Sequence, residues 1–111
     1  MGVNNINTRV VADPGDAGAI AVGEYNIVCN MTSAGSETRT LAIPAIAGQT
    51  CALCCDTYGG AIAVTAASGV NVAGNTVMTF GVVDEAIFLQ AVTKAGVLRW
   101  QVVGNDGVAL S

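Results

Sequence analysis

The chain is 111 residues long, with 8 acidic and 4 basic side chains, no histidine, 52% hydrophobic residues and a net charge of −4. Only 11% of its residues are charged, less than half the usual share of about 25%. The composition is too apolar for a disordered chain. It also lacks the run of about 18 apolar residues that crosses a bilayer, and its few scattered cations cannot neutralise a row of phosphates, which excludes membrane and nucleic-acid partners.

Strand-forming residues dominate, with 33 Val, Ile or Thr against 12 Leu, Glu, Gln or Lys. Turn signals recur about every 8 to 20 residues, from Asp13-Pro14-Gly15-Asp16 through Ser33-Ala34-Gly35, Ala47-Gly48, Tyr58-Gly59-Gly60, Ser68-Gly69, Gly74-Asn75 and Ala95-Gly96 to Asn105-Asp106-Gly107. Short strands between such turns predict an all-β fold, an antiparallel β-sandwich (jelly-roll-like) or barrel of about 8 short strands, with no room for βαβ units. Residues 1–12 read as an extended N-terminal arm and 13–111 as a single β-sandwich domain. The N-terminal segment has neither the basic and apolar regions of a secretory signal nor a myristoylation pattern, so neither export nor a lipid anchor is expected.

Along the chain, period-two alternation assigns faces. In residues 24–30, Tyr25, Ile27 and Cys29 fall on one face, expected inward, and Glu24, Asn26 and Asn30 on the other. Residues 61–67 put Ile62, Val64 and Ala66 together, and 76–80 put Met78 with Phe80. Residues 86–92 are apolar on both faces, as in a central strand or one that meets a partner subunit. A helix over 85–94 competes there, but the hairpin signal Lys94-Ala95-Gly96-Val97 opposes it. In 97–103, Leu98, Trp100 and Val102 oppose Arg99 and Gln101. The repeat of Gly-Ala-Ile-Ala-Val at 18–22 and 60–64 has unmatched flanks and reads as chance in a chain this rich in Ala, Val and Gly.

Cys51-Ala52-Leu53-Cys54-Cys55 invites a metal or redox reading, since it places three thiols in five residues. Zinc needs four converging ligands, however, and only Cys29 lies outside this segment, with no histidine to help. In a strand Cys51 and Cys55 share a face about 13 Å apart while Cys54 points the other way. The thiols therefore read as small buried apolar groups in a reducing compartment, with a Cys29 disulfide to the cluster as the alternative. Catalysis lacks its usual groups. Asp84-Glu85 are successive and would point to opposite faces, a loop at a strand start being the better account, and Lys94 lies outside any phosphate-cradling glycine loop. Asp13, Asp16, Asp56 and Asp106 fall in turns, where Asp caps backbone amides. Asn30-Met31-Thr32 fits a glycosylation sequon but carries no weight without a secretory signal. No enzyme, metal or cofactor is expected.

Three segments together resemble a small family of tailed-bacteriophage and prophage structural proteins: residues 9–20 (Arg9-Val10-Val11-Ala12-Asp13-Pro14-Gly15-Asp16-Ala17-Gly18-Ala19-Ile20), residues 34–42 (Ala34 to Ala42), and the closing stretch from Leu98-Arg99-Trp100 to Ser111. The resemblance runs from about residue 9 to the end and is most specific in the last segment. The cysteine cluster departs from the family pattern. The resemblance implies a capsid decoration, or cement, protein: a compact sandwich that forms a homotrimer, binds the major capsid protein on the outer surface of the virion and stabilises the shell. It would be made in the cytoplasm of the bacterial host.

A chain of this size with an ordinary charge content would carry about 28 charged residues, and this one has 12. Part of its surface is therefore expected to be covered by copies of itself or by a larger scaffold. On this reading Ile87, Phe88 and Leu89 supply the trimer interface, and Val3, Asn4, Asn5, Ile6 and Arg9 contact the capsid. The alternative is a tail-fibre or adhesin module that binds host glycans. For that role Tyr25, Tyr58 and Trp100 are the aromatic candidates, and only Tyr58, in its glycine turn, is expected to be free.

Overall fold

The computed structural model describes residues 7–111, which form ten strands and their connections and contain no helix. In chain order the strands are β1 (Thr8–Val11), β2 (Gly18–Ile20), β3 (Asn26–Thr32), β4 (Glu37–Leu41), β5 (Thr50–Thr57), β6 (Ile62–Ala66), β7 (Val77–Phe80), β8 (Ala86–Lys94), β9 (Val97–Asp106) and β10 (Ala109–Leu110). They make two five-stranded sheets, β1-β3-β5-β8-β9 and β10-β7-β6-β4-β2, which we call the first and second sheet. One apolar core lies between them, with Ile27, Leu53, Leu89 and Trp100 from the first sheet meeting Leu41, Ile62, Met78 and Phe80 from the second.

The architecture is a sandwich and not a closed barrel, and it corrects the expectation of an antiparallel arrangement. β1, β3 and β5 are parallel neighbours, as are β2, β4 and β6, and only β7 to β10 pair antiparallel throughout. The reason lies in the connections. Parallel neighbours need a crossover between them, commonly a helix. Here the crossover from β1 to β3 is β2 itself, lying in the opposite sheet, so six strands wind as a flattened coil. Turn signals mark where a strand stops, but a hairpin and a crossing to the other sheet use the same Gly, Pro and Asp residues. The repeated pentapeptide has no counterpart in this winding: Gly18 and Val64 both align with Arg39, four residues out of step with the sequence echo.

Alternation sets the faces largely as expected. Ile27, Cys29, Ile62, Val64, Ala66, Met78, Phe80 and Trp100 are buried, while Tyr25, Leu98 and Val102 are half-buried. The competing helix over 85–94 is strand β8. It closes on β9 through Ala95 and Gly96, both at positive φ (51° and 79°), as a two-residue type I′ hairpin requires.

Among the described residues three polar side chains lie inside, and each ties a crossing of the coil to another part of the chain at the same end of the sandwich. Arg39, 1% exposed, reaches from β4 to the first crossing: its Nε donates to Asp13 Oδ1 (2.6 Å) and its Nη2 to Asp13 Oδ2, the Thr32 carbonyl and Glu37 Oε1 (3.0 Å each). Ser33 joins the third crossing to the fifth, its hydroxyl donating to the Gly60 carbonyl (2.6 Å) and accepting from the Gly59 and Gly60 amides (3.1 and 3.2 Å). These turns lie so close that a Cβ on Gly59 would run into the backbone of Ser33 and Ala34, and one on Gly60 into that of Gly35 and Ser36. At the other end, Gln49 accepts from the Ala45 and Ile46 amides (2.9 and 3.3 Å) and donates to the Gly23 and Tyr25 carbonyls (2.5 and 2.6 Å). A buried amide with all four bonds made is favourable; the same site with a partner missing costs the desolvation of each orphan.

Gln49→Glu therefore tests the clamp at constant size. A carboxylate loses both donors and buries a charge, so the variant is expected to lose about 3 kcal/mol at pH 7. Lowering the pH should narrow its deficit relative to the wild type, because a protonated carboxyl regains one donor. Chemical denaturation at two pH values measures both, and equal stability at pH 7 would rule the clamp out.

Candidate interaction face

The inner faces consume most of the large apolar side chains, so the outer face of the first sheet is informative for what it still carries. Strand register aligns Val10, Val28, Ala52, Phe88 and Gly104 in one row across all five strands. Phe88 is 45% exposed and Val10 72%, while Val28 and Ala52 are half-buried. The register shifts between Phe88 and Leu89, which leaves Val103 as the extra residue of a bulge, 53% exposed beside the row. An adjacent row is uncharged and polar: Thr8, Asn26, Thr50, Gln90 and Gln101. The face is thus apolar at its centre and carries no charge along these two rows.

Charge is segregated to its ends. Asp13 and Asp16 in the first crossing, Glu37 at the start of β4, Asp56 late in β5, Asp84 and Glu85 before β8, and Asp106 at the end of β9 all lie at one end of the sandwich. Among the described residues the cation there is Arg39, which is buried and committed to Asp13 and Glu37. Glu24, Arg9, Lys94 and Arg99 belong to the opposite half, with Arg99 beside Val92 and Lys94 beside Val97 on the outer side of the β8–β9 hairpin.

Two shallow hollows adjoin at the acidic end. One, of about 280 Å³, is lined by Ala52, Phe88, Gly104 and Asp106; the other, of about 300 Å³, by Val82, Val83, Asp84 and Gly107, with Asp106 shared. Both sit at the lower limit of small-molecule sites, about 300 Å³, and lie open on the surface.

The expected interface residues divide. Ile87 and Leu89, at 2% and 0% exposure, point into the core and are unavailable to a partner, because β8 alternates and only Phe88 of the three faces outward. Val3, Asn4, Asn5 and Ile6 lie outside the described residues. Arg9 is exposed on β1, with its guanidinium 4.8 Å from the centroid of the Tyr25 ring. Residues 8–11 of the expected arm are extended but not free, since they form an edge strand paired with β3. Tyr58 is exposed at the acidic end, and Trp100 is a core residue whose Nε1 donates to the Ala42 carbonyl (2.8 Å).

The carboxylates and thiols have structural surroundings. Glu85 accepts from the amides of Gly81 and Val82 and closes its turn, while Asp84 sits in the left-handed region (φ 72°), exposed. Asp13 also accepts from the amides of Thr32 (2.8 Å) and Gly15 (3.2 Å). All four cysteines are free, with Cys51 and Cys55 inward and Cys54 outward as alternation requires. Among the described residues no three His, Cys, Asp or Glu side chains come together to hold a metal. Burial pushes the Cys29 thiol up to about 11, helped by Asp13, and Cys51 up to about 12, helped by Cys29. Burial and then the charges of Asp84 and Asp56 also raise Cys54. Arg39 and Gln49 were the residues hardest to anticipate. Arg39 had a signal, since it alternates with Leu41; Gln49 had none.

Two outcomes follow. Burial alone would raise the Asp13 carboxyl, but hydrogen bonds from Arg39, Thr32 and Gly15 outweigh it and hold the group below its ordinary 3.8. The folded protein then releases this proton more readily than the unfolded chain, so the contribution is complete above 3.8 and is lost as pH falls through the lower folded value. Asp13→Asn should cost about 3 kcal/mol at pH 7 and flatten the acid limb of the stability curve, measured by denaturation between pH 2 and 7; an unchanged acid limb would deny the pair its role. In a thiol-reagent titration the native protein should react first at Cys54, and at Cys29, Cys51 and Cys55 only on unfolding. Rapid modification of all four in the native state would contradict their burial.

No protein-family model matches the chain, and comparison with curated proteins finds no match.

Proposed function

We propose that this chain is a structural virion protein that decorates the outer surface of a phage head, binds the major capsid protein and stabilises the shell, assembled as a homotrimer as in the family its sequence resembles. It works by binding, not by chemistry. The observation that carries this reading is the outer face of the first sheet, where Phe88, Val10 and Val103 stay exposed on a chain with only 12 charged residues. Exposed apolar area of this kind marks contact surfaces.

A protein that binds only the assembled lattice stabilises it by mass action, and several weak contacts engaged at once raise the effective affinity. No single strong site is then required, which fits a surface whose charged groups are few and set at its ends. The glycan-binding alternative rests on Tyr58, exposed beside the acidic turns, and a glycan array separates the two.

The test is a comparison of particles with and without the protein. Heads lacking it should assemble normally but lose their genome at a temperature several degrees lower, and adding the purified protein back should restore the midpoint. Equal heat survival of bare and decorated particles, or failure of the protein to bind heads, would refute the proposal.

A further inference from the structure

The outer face of the first sheet is self-complementary. Along the strand direction it runs from carboxylates at one end (Asp56, Asp106), through the apolar row that contains Phe88, to cations at the other (Lys94, Arg99). Two such faces laid together in the same direction would oppose like charges at both ends. Laid in opposite directions they join apolar row to apolar row and bring each acidic end against a cationic end, twice over. A two-fold axis in the plane of the contact and perpendicular to the strands generates this arrangement, and such isologous contacts are the commonest in homo-oligomers.

We infer that this face binds a second copy of the chain across a two-fold axis with strands antiparallel, the row of Val10, Ala52 and Phe88 lying along the axis and the Asp56/Asp106 end of each copy toward the Lys94/Arg99 end of the other. Size is sufficient. Five strands about 4.8 Å apart and roughly seven residues at about 3.3 Å give a face of roughly 550 Å². Two of them bury roughly 1,100 Å², just above the roughly 1,000 Å² a specific interface needs. The contact is therefore of modest strength and depends on concentration and salt. It pairs one copy with one copy, so a trimer that carries it is linked to its neighbour by it.

Sedimentation equilibrium of the purified full chain tests the contact without any shell, so its failure leaves the virion reading standing. The wild type should show a concentration-dependent doubling of mass that weakens as salt rises. Phe88→Asp should abolish the doubling, as should Val10→Asp if the former disturbs folding. Lys94→Glu with Arg99→Glu, and separately Asp56→Lys with Asp106→Lys, should each weaken pairing about tenfold or more, whereas a 1:1 mixture of the two variants should regain it. Same-direction stacking would leave both charge variants at wild-type strength, because like charges would only exchange sign. That result overturns the inference, as does a wild type that never doubles or variants that pair undiminished with their thermal midpoints intact.

Discussion

The fold depends on how successive turns of a parallel coil are held at the correct height. Within each sheet the ladder hydrogen bonds fix neighbouring strands, but the crossings that pass between sheets have no ladder and would be free to slip. Arg39 with Asp13 fixes the first crossing to the end of β3, Ser33 fixes the third to the fifth, and Gln49 fixes the second to the fourth. These are the three buried polar residues of the described chain, and each bonds a backbone group as well as filling space. A buried ion pair often adds little net stability over an apolar substitute. Its value here is positional: Asp13 accepts from Thr32 and Gly15 as well as from Arg39, so shifting the crossing would break several bonds at once.

With the clamps in place, the two sheets bury one face each and the apolar residues sort themselves by alternation. What remains outside follows from the same register. Because β1, β3, β5 and β8 align Val10, Val28, Ala52 and Phe88, a stripe that is invisible in the linear sequence becomes continuous in space. The charges are segregated for a related reason. At one end Asp13, Asp16, Glu37 and Glu85 cap backbone amides in the turns, while the turns at the other end, Glu24 apart, are built mainly from Gly, Ala and Asn. An uneven choice of turn residues thus gives the molecule an electrostatic direction along its strands.

Faces were legible in the sequence wherever alternation was clean, as in Ile62-Val64-Ala66 and Met78-Phe80. The same rule placed Cys54 opposite Cys51 and Cys55. Pairing direction was not legible, because nothing local distinguishes the Asp13-Pro14-Gly15 crossing from a hairpin. The candidate face was legible only in part. Residues 86–92 stood out as apolar on both sides, but alternation sends Ile87 and Leu89 inward and only Phe88 out, and the row that Phe88 joins depends on four other strands. Gln49 gave no signal at all, since a polar residue before a strand looks like a solvated loop until the carbonyls of Gly23 and Tyr25 are brought to it.

Sheet edges are the usual rivals of sheet faces for association, since an unpaired strand presents open donors and acceptors. Here the edges are blunted. β1 has four residues, β2 three and β10 two. The long edge strand β9 is interrupted by its bulge at Val103, and its Val102 amide donates to the Val70 carbonyl of the 67–76 loop (2.8 Å), which laps over that edge. With the edges blunted in this way, the exposed apolar side chains Phe88, Val10 and Val103 lie on a sheet face and not along a free edge. Contacts made face to face are limited in area by the sheet itself, whereas edge pairing propagates without limit. A contact that closes on a defined partner does not build fibres, whereas one that repeats head to tail does.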